Sequence, residues 1–142
     1  MKKFILLITI YCFLIQTSEA QINLVPNPSF EDTLACPAAL SQMDKAAGWS
    51  SYKLTPDYYN YCNGAQAGVP SNQPGFQYAR TGVAYAGFIT ISRGSSNTRE
   101  ILGAQLNQQM QIGQTYYVSF YVNRSYNSAV FNNYNNMATN KI

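Results

Sequence analysis

Between positions 49 and 63 the chain gathers Trp49, Tyr52, Tyr58, Tyr59 and Tyr61, with Asp57, Asn60 and Asn63 among them. Sugar rings present flat C–H faces that stack on tryptophan and tyrosine. Amides and carboxylates bond the sugar hydroxyls. The residues that could contact a polysaccharide are therefore Tyr52, Asp57, Tyr58, Tyr59 and Asn60. Trp49 is the only tryptophan, and a lone tryptophan in a β-protein usually fills the core, so we expect it inside. For Tyr58 and Tyr59 two readings stay open: ligand contact from a polar loop, or inward packing.

Catalysis needs a positioned nucleophile, acid or base. The chain has no histidine. Past the leader described below, its carboxylates are Glu31, Asp32, Asp44, Asp57 and Glu100. A glycosidase needs two of them facing one bond. Glu31 and Asp32 are adjacent, and neighbours on a strand point to opposite faces. We therefore expect a binding module and not an enzyme. Arg80, Arg93 and Arg99 are scattered, and each reads as a surface or sheet-edge charge. The formal net charge is +3 with no basic cluster, which gives no footprint for nucleic acid.

Residues 1–20 read as a signal peptide. Lys2 and Lys3 supply the positive start, and residues 4–15 form an apolar run too short to span a bilayer. Ser18 and Ala20 are small residues placed for cleavage before Gln21. Cys12 lies in the apolar run and would be discarded with it. No second long apolar run follows, so no transmembrane segment is expected after cleavage. Export to an oxidising compartment leaves Cys36 and Cys62, the number that makes one disulfide. Metal binding is the weaker alternative, since there is no CxxC spacing.

Residues 21–142 fit one domain. Residues 22–25 read as a short apolar run ended by Pro26-Asn27-Pro28. Residues 32–47 read as a loop with a helical turn near 40–45, and 48–53 as a strand. Thr55-Pro56-Asp57 has the form of a helix start, with room for one or two turns before Asn63-Gly64. Residues 65–82 read as a long loop. Strands follow at 84–91 and 99–106, with a polar turn between them at 92–97. The clearest strand is 115–124, where Tyr116, Val118, Phe120 and Val122 alternate with Tyr117, Ser119, Tyr121 and Asn123. Residues 125–136 form an asparagine-rich loop. Residues 138–142 read as the start of another strand, so the chain is expected to be a fragment. Short strands with proline- and glycine-rich connections predict an all-β, antiparallel sandwich.

Three segments resemble the carbohydrate-binding jelly-roll modules of the galactose-binding-like fold: Asn23-Leu24-Val25-Pro26-Asn27-Pro28-Ser29-Phe30-Glu31, Gly48-Trp49 and residues 112–122. The ordered set is closer still to exported domains at the N-terminus of OmpA-like and other cell-surface proteins of Gram-negative bacteria. There the same opening precedes segments similar to residues 55–60, 69–72 with 75–77, 84–88 and 116–122. The resemblance implies a jelly-roll β-sandwich, incomplete at its C-terminus, that is secreted or displayed on the cell surface and binds a glycan. It also implies a structural calcium held in part by Glu31. Calcium takes six to eight oxygens, and the late aspartate of that set has no counterpart here. Asn123-Arg124-Ser125 fits a glycosylation pattern, against which the bacterial resemblance argues. The alternative function is a structural or adhesive spacer with no sugar pocket, favoured if the tyrosines pack inward and no concave aromatic surface exists.

Overall fold

The computed structural model describes residues 22–90 and 99–124. The expected signal peptide, the turn expected at 92–97, Arg93 and the asparagine-rich C-terminal segment lie outside the described residues. The described chain is built from β-strands, with one 3-10 turn at Met43–Lys45 as its only helical element. The strands are β1 (Trp49–Lys53), β2 (Asp57–Asn60), β3 (Ser71–Asn72), β4 (Gly75–Phe76), β5 (Ala84–Gly87) and β6 (Ile101–Ala104). They pair as three antiparallel two-stranded sheets, β1–β6, β2–β5 and β3–β4.

The β2–β5 ribbon is buried on both faces because its side chains alternate between two apolar clusters. Tyr58 and Ala84 join Met43 and Ala46 on one side, with Phe30, Trp49, Ala86 and Leu102 packed around them. Tyr59 joins Ala67 and Val69 on the other, with Leu40, Ala79 and Tyr85. The register sets Tyr59 against Tyr85 and Asn60 against Ala84. Trp49 thus packs against the core as expected. Its ring lies 4.6 Å from that of Phe30, and its indole N–H donates to the Asn27 carbonyl at 2.9 Å.

The strands expected at 48–53, 84–91 and 99–106 and the turn near 40–45 are present in shorter form. Two expectations are overturned. Residues 57–60 are a strand and not a helix start, because β5 supplies a ladder and both tyrosines find apolar pockets. Residues 115–124 pair with nothing among the described residues and are exposed throughout. Alternation makes a segment fit for a sheet, but only a neighbouring strand makes it one. The expected long loop at 65–82 contains the small β3–β4 hairpin.

Candidate functional site

Cys36 and Cys62 form the expected disulfide, with their Cα atoms 5.9 Å apart. It ties the loop before the 3-10 turn to the residues just past β2. Asn63 reinforces the tie by donating its side-chain N–H to the Pro37 carbonyl at 2.6 Å.

Of the residues singled out for sugar contact, Tyr58 and Asn60 belong to a buried polar network. The Tyr58 hydroxyl donates to the Phe30 carbonyl at 2.9 Å and accepts from the Asn60 amide at 2.8 Å. The Thr33 hydroxyl lies 2.5 Å from it, and Asn60 also donates to Thr33 at 3.1 Å. The Asn60 carbonyl oxygen accepts the Cys62 N–H. Tyr58 is fully buried, so it offers a ligand no ring face. Tyr52 is exposed beside the β1–β6 bulge, its ring lying over Gly103.

Glu31, expected to hold part of a calcium site, is engaged by the backbone. Its carboxylate accepts N–H bonds from Val83 through both oxygens and from Ala84 through one, each at 3.0 Å. Donors surround it where a cation would need oxygens. Among the described residues no three histidine, cysteine, aspartate or glutamate side chains are grouped to hold a metal ion. Glu31 instead pins the opening segment to the start of β5.

Asp57 and Tyr59 do meet at a cavity. It has a volume of about 520 Å³ and opens to solvent between the β2–β5 ribbon, the hairpin with the residues that follow it, and residues 121–124. Its floor is Tyr59 and Tyr85, with ring centroids 5.0 Å apart. Its walls carry the exposed rings of Phe76, Tyr78, Phe88 and Tyr121. Phe76 and Tyr78 meet edge to face at 5.2 Å. Gly87 lets the Tyr59 ring lie against β5, since a Cβ there would stand 2.5 Å from Tyr59 Cε2.

The polar groups of the cavity are largely engaged. The Tyr59 hydroxyl donates to Asp57 at 2.8 Å, and the Ser41 N–H donates to the other Asp57 oxygen at 2.6 Å. Burial pushes the Asp57 carboxyl above its ordinary value, against the pull of the Ser41 and Tyr59 bonds; the charge of Glu100 adds to the rise. Burial, followed by the Asp57 charge, holds the Tyr59 phenol well above the usual tyrosine range, so it stays a donor. Burial raises Tyr85 too, opposed by its bond from Asn72. Glu100 is itself engaged by the Thr55 hydroxyl and the Ile89 N–H, and it does not line the cavity. Asp57 and Glu100 therefore do not form a pair across the cleft.

Arg80 is exposed, as a surface charge would be, and it also meets an aromatic ring. Its guanidinium carbon sits 3.4 Å from the Tyr121 ring centroid. Asn123, which donates its amide to Gln77, anchors the same segment. Tyr78, Arg80, Tyr85 and Tyr121 were missed as site residues because they converge only in space. The sole signal in the sequence was the aromatic density of the segments that carry them. Comparison with protein-family models, with curated proteins and with solved structures finds no match to this chain.

Proposed function

We propose that this chain is an exported, non-catalytic module that binds polysaccharide at or outside the cell surface, and that its strands belong to a jelly-roll sandwich. One observation carries the reading: four exposed aromatic rings, Phe76, Tyr78, Phe88 and Tyr121, converge on one open cavity with a tyrosine floor. Soluble monomeric proteins bury or scatter such rings unless a partner covers them. Stacking on sugar faces uses this arrangement, and a groove open to solvent admits a chain of sugars. The signal peptide and the segment resemblance support export and display.

The test is affinity electrophoresis against a panel of soluble polysaccharides, with Tyr78→Ala and Tyr121→Ala beside the parent chain. Retardation by at least one polymer, weakened in both variants, is the expected result. A folded chain that migrates freely through every polymer overturns the reading. That outcome favours the structural or adhesive spacer, for which the inward packing of Tyr58 and Tyr59 speaks.

A further inference from the structure

We infer that the groove selects an acidic polysaccharide, one whose sugars carry carboxylates, and that Arg80 and Arg124 receive them. This rests on the polysaccharide reading and names the class of ligand. The argument comes from which polar groups remain available. Asn72 spends its amide on the Gly68 carbonyl and the Tyr85 hydroxyl, and its oxygen on the Gly75 N–H. Gln77 accepts from Asn123 and donates to the Tyr78 carbonyl. Asp57 has a donor on each oxygen. The amides and the carboxylate that would read neutral hydroxyls are thus mostly used internally.

The two guanidinium groups are different. Arg80 and Arg124 both line the groove. Neither has a carboxylate partner among the described residues. The Arg80 guanidinium carbon lies 3.4 Å over the Tyr121 ring centroid, a contact that holds the group at the groove wall. A planar guanidinium matches a carboxylate with two parallel hydrogen bonds. Aromatic rings beside it supply the stacking surface for the same sugar. A uronic acid residue offers both faces of this chemistry at once.

The experiment measures binding of the purified chain to polygalacturonate, to neutral galactan and to dextran sulfate by isothermal titration. It repeats the series with Arg80→Lys and with the double variant Arg80→Gln/Arg124→Gln, each checked for an unchanged denaturation midpoint. We expect polygalacturonate to bind at least tenfold more tightly than galactan. The double variant should lose about tenfold, or 1.4 kcal/mol, and Arg80→Lys should lose part of it because the charge stays and the fork goes. Equal affinity for galactan and polygalacturonate, unchanged in the double variant, overturns the acidic preference and leaves polysaccharide binding standing. Dextran sulfate bound as tightly as polygalacturonate overturns carboxylate selection in favour of bare charge. Binding to no polymer overturns the underlying reading itself.

Discussion

Asn60 is a buried polar residue that joins three partners. It serves the Tyr58 and Thr33 hydroxyls and the Cys62 N–H. Asn60→Ala removes the buried amide bond to the Tyr58 hydroxyl, which keeps its bond to Phe30, and leaves Thr33 and the Cys62 N–H to solvent; losing a buried polar partner costs about 1–3 kcal/mol. We expect a loss of roughly 2–3 kcal/mol in urea unfolding. A loss below half a kcal/mol would show that water replaces the amide. Asp57 makes a second residue-scale case, now with pH. Its folded pKa is raised mainly by burial, so the folded state holds the proton more tightly than the unfolded chain. Its stabilising contribution is therefore full below the ordinary value of 3.8 and is lost as pH rises through the raised folded value. Relative to Asp57→Asn, the parent chain should gain stability as pH falls through that window, as measured by urea midpoints at a series of pH values. A flat difference between the two proteins would remove the buried carboxyl from the account.

At the scale of elements, strand pairing decided what the sequence showed and what it hid. β1, β5 and β6 were legible because small and apolar residues cluster between glycine and proline punctuation. The disulfide was legible from export and cysteine number. β2 was not, because Thr55-Pro56-Asp57 carries a local helix-start signal that long-range pairing with β5 overrides. Residues 115–124 show the converse, with strong alternation and no ladder among the described residues. The groove was half legible: Asp57 and Tyr59 were singled out, while the rings opposite them come from positions 76–88 and 121. Gly87 is a point of close contact between β5 and the Tyr59 ring of β2. Gly87→Ala drives a Cβ to 2.5 Å from the Tyr59 ring, so the ring must move and its bond to Asp57 is disturbed. We expect a loss of about 1–3 kcal/mol together with weaker polymer retardation. Gly64→Ala, where a Cβ meets nothing within 4 Å, should change neither.

At the scale of the molecule, three two-stranded sheets bury little on their own, and a two-stranded ribbon is marginal in water. Covalent and polar ties must therefore join the parts. Glu31 links the opening segment to β5, and Asn27 links it to Ala47. Cys36–Cys62 closes a separation of 26 residues, which encloses β1, β2 and the 3-10 turn. Cross-linking a loop of that size removes disorder from the unfolded chain worth roughly 3–4 kcal/mol. That is a large share of the stability of a small domain. The Cys36→Ser/Cys62→Ser variant should therefore unfold at clearly lower urea. Some of it should already be unfolded at the temperature where the parent is native. The cysteines do not line the groove, so the fraction that stays folded should bind polymer with the affinity of the parent. Separating the two readouts tests the architecture: urea midpoint reports the tie, and affinity per folded molecule reports the site. An unchanged midpoint would mean that the apolar clusters around Tyr58 and Tyr59 hold the chain without the bridge. A lowered affinity in the folded fraction would mean that the bridge positions β2 beneath the groove as well as stabilising it.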